Sequence, residues 1–459
     1  MWISILSVIV HNLFIIVPYV KSNDHWCNLP VPDSCRCRLR HHQYTLDCTN
    51  SNMTSIPTIT SSTTWYEINF ENNKINLLIK CQFIKLYVKR LNLKSNYLIR
   101  IQESTFKDII GLNDLILSSN NLTKIQSEIF VHTPDLSTLD LSNNPFEYLD
   151  IDSLLEQLKS SLEILYLRNI SSINKSIISN KFIYGSNLKY LDLSFNDLKS
   201  LNIDMFNSMI NLETLILNEN KLKDLNGLIF QKLTNLINVK LDHNELIELP
   251  IIQSNSIKIL SLEENLIQSL TLFALVNMTN LTSLDLDKNQ LSTIYTHTFC
   301  NTSLKLDLIS MDSNQFQTLS YCSLNMTTSE NLLYSLRKNE RLICSCDLYK
   351  AYRQPKHWTI DFDDCLLPPL MNKIQLENLS NSICQNNITC EIDCMKTHTQ
   401  ILDELKQLEE EEKKRRLVNK QHGQRLNNIN MANIMFNSKL FSFYLIIIII
   451  RSIKLNLFV

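Results

Sequence analysis

The stretch LILSSNNLTKI, residues 115–125, decides how this chain folds. Leu115 and Leu117 alternate with solvent-facing positions, which is the spacing of a short strand with one buried face. Asn120 follows three residues after Leu117, and Leu122 and Ile125 close the phrase. Aligned on that asparagine, the phrase returns at Asn73, Asn96, Asn144, Asn196, Asn220, Asn244, Asn265, Asn289 and Asn314, at spacings of 21 to 25 residues save one double gap. Within the gap, LEILYLRNI keeps Leu162, Leu165 and Leu167 and puts Ile170 where the asparagine would stand.

Apolar residues stand eight, five and three places before each asparagine and two after; in LKYLDLSFNDL they are Leu188, Leu191, Leu193 and Leu198. Ten places after it a phenylalanine recurs, at Phe83, Phe106, Phe130, Phe206, Phe230 and Phe299. A second apolar period on the far side means that each coil closes on a core of its own. The residues resemble the leucine-rich repeat family in its extracellular form of about 24 residues per repeat, over roughly residues 46–340. The resemblance implies an α/β solenoid, a horseshoe with a parallel β-sheet on its concave face and disulfide-bonded caps. Neighbouring strands would stack about 4.8 Å apart. The asparagine amide, with donors and an acceptor, would satisfy backbone groups left buried by the turn. No coil can bury its apolar face alone, so stability must come from stacking.

Composition narrows the alternatives. The 44 basic and 46 acidic side chains nearly cancel, so no global field draws the chain to nucleic acid. Gly111, Gly185, Gly227 and Gly423 are the only glycines, too few and too scattered for phosphate loops, dinucleotide folds or nucleophile elbows. The ten histidines supply no HExxH pair, and no nucleophile–base motif appears, so the chain is read as a non-enzyme without cofactor.

Residues 1–22 form an apolar run of signal-peptide length, with Val20 and Ser22 placed for cleavage before Asn23. Cysteines crowd both ends of the array. Residues 23–62 hold Cys27, Cys35, Cys37 and Cys48, and residues 339–395 hold Cys344, Cys346, Cys365 and Cys384. These resemble the family's N- and C-terminal caps, which implies pairs Cys27–Cys37, Cys35–Cys48, Cys344–Cys365 and Cys346–Cys384. Zinc is the weaker reading, since zinc sites favour C-x₂₋₄-C pairs with histidines and a secreted chain favours disulfides. Cys300 and Cys322 fall on adjacent coils and could clasp them, and Cys390 and Cys394 are close enough to pair. Cys81 is left over and reads as a small buried hydrophobe.

The repeats, about 11–12 of them, fill residues 63–338. Beyond the second cap, residues 396–433 read as a charged helical stalk, with Glu409–Glu412 each four places before Lys413–Arg416. Residues 434–459 read as an apolar anchor, although the unbroken run 440–450 is shorter than the ~20 residues of a full span. A single membrane span, a lipid anchor and secretion without an anchor all stay open.

Function must then lie on solvent-facing positions. Between the leucines of the central coils stand Ile164, Tyr166, Arg168, Tyr190, Phe195 and Ile216, followed by an acidic stripe through Glu219, Asp242, Glu263 and Asp285. Aromatic residues and arginine are enriched at binding hot spots, and an acidic stripe steers a basic partner. The expectation is a receptor or co-receptor on the outer face of the plasma membrane that binds a protein along the concave face. The alternative is a secreted ligand or matrix-associated binding protein, and homodimerisation is left open. Sequons at Asn52, Asn121, Asn169, Asn174, Asn277, Asn280, Asn301, Asn325, Asn378 and Asn387 make some glycosylation expected in a secreted chain.

Overall fold

The computed structural model describes residues 25–26, 32–40, 42–59, 63–170, 182–270, 275, 278–294, 298, 305–324, 331–353, 358–367 and 372–374. The leader, the stalk, the apolar segment 434–459 and six sequons (Asn174, Asn277, Asn301, Asn325, Asn378 and Asn387) lie outside them. So do Phe299, Cys27, Cys300, Cys384, Cys390, Cys394 and the side chain of Cys322. Two units are present, one of residues up to Leu122 with Glu128–Leu139, the other of Thr123–Ser127 with Asp140 onward.

The first unit opens on an antiparallel hairpin, Arg36–Arg40 against Gln43–Asp47, whose second strand is joined in parallel by Trp65–Asn69, then Leu86–Asn92, then Asp114–Ile116. The register sets Leu46 beside Ile68, Ile68 beside Leu91 and Leu91 beside Leu115, a column sealed from solvent. From the other side of each coil Phe83 and Phe106 close the core, their rings stacked with centroids 6.1 Å apart.

In the second unit nine short strands run parallel, from Ile164–Tyr166 through Tyr190–Asp192, Thr214–Ile216, Asn238–Lys240, Ile259–Ser261, Ser283–Asp285, Leu308–Ser310 and Leu332–Ser335 to Trp358–Asp361. Leu165, Leu191, Leu215, Val239, Leu260, Leu284 and Ile309 form one buried column along it. One return leg holds an α-helix, Ile151–Leu158, whose first turn is capped by the Asp150 carboxylate accepting from the Ser153 N–H at 3.1 Å. Ile151, Leu154, Leu155 and Leu158 are its buried face. Another, Gly227–Phe230, is a 3₁₀ turn pressed so closely on its neighbour that a Cβ at Gly227 would lie 1.8 Å from the Ile251 carbonyl oxygen.

The repeated asparagines are buried and bonded as their chemistry requires. Asn220 donates from Nδ2 to the Leu217 oxygen of its own coil at 2.9 Å and to the Leu193 oxygen of the previous coil at 3.0 Å, while its Oδ1 accepts the Leu198 N–H at 3.0 Å. Asn96 repeats the pattern in the first unit, on Leu93 and Phe70, with Ile75 N–H as donor. The ladder has one rung more than the sequence pattern suggested: Asn339 donates to Leu336 at 2.8 Å and Met311 at 3.1 Å. Where Ile170 stands in place of an asparagine, its N–H reaches Asn196 Oδ1 of the next coil at 2.7 Å.

Two of the implied bridges are present, Cys35–Cys48 and Cys344–Cys365, and Cys37 and Cys346 are disulfide-bonded as well. Each bridge contributes about 2–4 kcal/mol. Cys81 corrects the expectation for it: the thiol is exposed, on a turn residue with φ 54°. The left-handed turn aims the side chain away from the core that the repeat pattern would have offered it.

Candidate functional site

In the second unit the residues between the buried columns line the open face of the parallel sheet. Six, four and two places before each ladder asparagine a side chain points outward. The residue one place before it turns left-handed on coil after coil, with φ 53° at Asn169, 60° at Phe195, 54° at Glu219, 53° at His243, 55° at Glu264 and 51° at Lys288.

Five of the expected contact residues meet on two consecutive coils. Ile164 pairs with Tyr190 in register, and the Tyr166 and Tyr190 rings lie with centroids 5.1 Å apart. The Arg168 guanidinium sits 4.1 Å from the centre of the Phe195 ring. Burial, the neighbouring Asp192 carboxylate and Tyr166 push the Tyr190 phenol up to about 12, so it stays protonated and able to donate. Phe195 itself is 39% exposed. A bulky side chain at positive φ is uncommon and strained, and here the turn holds an aromatic ring in solvent under a cation. Ile216, half-buried, stands on the next strand between Asp192 and Lys240.

The acidic stripe divides. Asp242, expected on the contact surface, is buried. Its Oδ1 accepts from the Ser261 hydroxyl and, at 3.0 Å, from the Glu263 N–H; its Oδ2 accepts from Asn218 Nδ2 at 2.9 Å. The same clasp recurs twice. Asp287 accepts from Ser310 Oγ at 2.6 Å and the Asp312 N–H at 2.7 Å; Asp312 accepts from Ser335 Oγ at 2.7 Å and the Arg337 N–H at 2.8 Å. An aspartate two places before one asparagine thus ties down the next coil wherever a serine stands four places before its asparagine. The Asp–Ser recurrence is present in the sequence but indistinguishable there from a solvated polar face.

Between Asp242 and Asp287 the clasp fails, because Glu263 holds the aspartate position and Asp285, in register with Ser261, holds the serine position of the next coil. Burial first, then repulsion from Asp287, Glu263 and Asp242, raises the Asp285 carboxyl to about 7 despite the hydrogen bond from the Asp287 N–H. Lys288 takes the charge of Glu263 at 2.7 Å and of Glu264 at 3.4 Å. His243 Nδ1 lies 3.3 Å from Glu264 and 3.7 Å from Glu219. Glu219, Glu263 and Asp285 therefore remain on the open face, but the stripe is locally balanced.

The sequence model described as "Leucine rich repeat" matches residues 87–146 and 186–246, within the segments whose strands and asparagine ladder have just been described. Those two segments are leucine-rich repeats. No curated protein matches the leucine-rich repeat chain in sequence. Among solved structures, a chain of the octameric complex of latrophilin 3, Unc5D and FLRT2 is similar at 18% identity, over 77% of this chain and 99% of that one, with a TM-score of 0.48. A chain of the glycosylated Toll–Spatzle complex of Drosophila is similar at 20% identity, over 70% of this chain and 48% of that one, with a TM-score of 0.49. Among the described residues of the repeat protein, no helix is long and apolar enough to cross a membrane.

Proposed function

We propose that this leucine-rich repeat protein works outside the cell as a recognition protein, a receptor or co-receptor that binds another protein on the open face of its parallel sheet. Phe195 carries the reading: an aromatic ring held in solvent at positive φ, with Arg168 over it and the Tyr166–Tyr190 pair alongside. Such a ring contributes nothing to the core, and clusters of aromatic residues with arginine are where binding energy concentrates. Glu219 follows on the next coil, and Glu263 and Asp285 lie further along the same sheet, partly balanced by His243 and Lys288. Basic side chains on a partner would complement what charge remains. The disulfides Cys35–Cys48 and Cys344–Cys365 support an oxidising compartment, and under this reading they cover the ends of the repeat array. The apolar segment 434–459 would tether the protein to the membrane.

The test is Phe195→Asn, because asparagine accepts positive φ and the substitution leaves the buried columns untouched. The full chain is displayed on cells and screened against a library of soluble ectodomains. Partners captured by the wild type are expected to bind the variant at least ~30-fold more weakly, the size of a hot-spot loss, at equal surface level. Undiminished capture would place the binding face elsewhere.

A further inference from the structure

The coil from Asn244 to Asn265 has 21 residues, while the coils before and after it have 24. The missing length comes from the return leg, where Ser254 stands ten places after Asn244 in the position that Phe230 fills in the coil before and Leu275 in the coil after. This leg is drawn in against Gly227, and the Gln253 N–H bonds the Gly227 oxygen at 3.4 Å. A short coil between longer ones leaves a notch of about 570 Å³ on the return side, lined by Gln231 and Thr234 from the preceding coil, Gln253, Asn255 and Ser256 from the short one, and Asn280 from the next. That volume is within the range of ~300–1,000 Å³ typical of small-molecule sites, and the lining sets amides and hydroxyls beside the apolar Leu233, with no formal charge. Such a surface suits a sugar.

Asn280 begins the sequon Asn280-Leu281-Thr282 and is exposed at the rim of this notch. One of its Nδ2 hydrogens is engaged by the Asn255 oxygen at 2.7 Å. A glycosylated asparagine keeps one amide hydrogen, so substitution of the other hydrogen leaves this bond in place and directs the sugar away from the Asn255 oxygen. Gln253 supplies an independent sign of a missing occupant: its Nε2 is buried and has no hydrogen-bond partner among the described residues. A buried donor without an acceptor costs about 1–3 kcal/mol, and a sugar oxygen reached by a turn of the carboxamide would relieve it.

We infer that Asn280 carries an N-linked glycan whose first N-acetylhexosamine units lie in the notch, held by Gln253 and its amide and hydroxyl neighbours. The reaction consumes a lipid-diphosphate-linked oligosaccharide. Nδ2 forms a bond to the first sugar carbon, the bond from that carbon to the diphosphate oxygen breaks, the lipid diphosphate leaves and one amide proton is released. The inference rests on the extracellular reading, because the donor is found only along the secretory route. Transfer precedes folding, so the Thr282 hydroxyl bond to the Lys258 oxygen at 3.1 Å does not oppose it.

The test uses the full chain secreted from a eukaryotic host. Site occupancy is read by mass spectrometry after enzymatic release in ¹⁸O water, first denatured and then native. Asn280 is expected to be occupied and to release its glycan under native conditions about tenfold more slowly than the exposed sequons Asn52 and Asn121, the equivalent of ~1.4 kcal/mol of contact. Gln253→Ala should leave occupancy unchanged and bring the native rate to that of the other sites. An empty Asn280 beside occupied Asn52 or Asn121 overturns the inference and spares the extracellular reading. An occupied Asn280 released as fast as the others overturns the seating in the notch, and a chain with no occupied sequon overturns both readings.

Discussion

The coils around Tyr166–Phe195 and those around Asp242–Asp312 share one interior and have opposite exteriors. Both carry the same leucine column and the same asparagine rungs. On the first, the outward groups are rings and a guanidinium that pack on each other above the sheet. On the second, the Asp242, Asp287 and Asp312 carboxylates turn back into the backbone of the next coil. The difference teaches that an outward position in this repeat is not yet a contact position. Polar side chains short enough to reach the next coil become structure, while large aromatic ones cannot and stay available.

The shared interior gives the largest effect. Leu193→Ala opens a cavity in the buried column and is expected to lower stability by about 2–5 kcal/mol, read as a shifted denaturation midpoint. An unchanged midpoint would mean that Leu193 is not packed as described. Next comes the clasp. Asp287→Ala removes the acceptor from the part-buried Ser310 hydroxyl and Asp312 N–H and should cost about 1–3 kcal/mol in all. Arg168→Ala on the aromatic coils removes only a cation over a ring and should cost about 0.5–1 kcal/mol. Equal losses in the two variants would erase the distinction between the regions.

A pH series sharpens the contrast further. The Asp285 carboxyl stands at about 7 in the folded chain against an ordinary value of 3.8. The folded state therefore holds that proton more tightly than the unfolded state. Its stabilising contribution is complete below pH ~4 and is lost as the pH rises toward 7. The neighbouring Asp242 and Asp287 are raised in the same direction, chiefly by burial. The melting temperature should thus be higher at pH 5 than at pH 7.5. Asp285→Asn should flatten that slope and raise the melting temperature at pH 7.5. A variant with the wild-type slope would assign the pH dependence to other groups.

The interior was open to reading in the linear sequence because it is periodic: Leu191, Leu193 and Asn196 recur at the same offsets, and repetition separates signal from accident. Chemistry that depends on a neighbour in the next coil was not. Asp242 and Glu263 look alike in the alternation of a strand, and only the facing Ser261 makes the first a clasp. Asn339 reads as part of the C-terminal cysteine segment because Cys344 and Cys346 follow so closely, although it adds a rung to the ladder. The helix Ile151–Leu158 was legible in principle, since Asp150 caps it and Ile151, Leu154, Leu155 and Leu158 share one face. The solenoid period overshadowed it. Residue type announces the left-handed column only in part: Asn72, Asn143 and Asn169 suit positive φ, whereas Phe195, Glu219 and Lys288 are poor choices for it.

That column supplies the smallest and most discriminating effect. If Phe195 is kept for a partner, Phe195→Asn trades about 1–3 kcal/mol of backbone strain against the ~0.5–1 kcal/mol contact with Arg168 that it loses. It should be neutral or stabilising by up to ~1 kcal/mol. At the same place on the acidic coils, Glu264→Asn loses the contacts to His243 and Lys288 and should be neutral or destabilising by less than ~1 kcal/mol, as exposed pairs are. Paired denaturation curves of the two variants read the difference in sign. A clear loss of stability in Phe195→Asn would mean that the ring and Arg168 hold the sheet together. The aromatic coils would then join the acidic ones as scaffold, and the contact reading of their exterior would fall with the comparison.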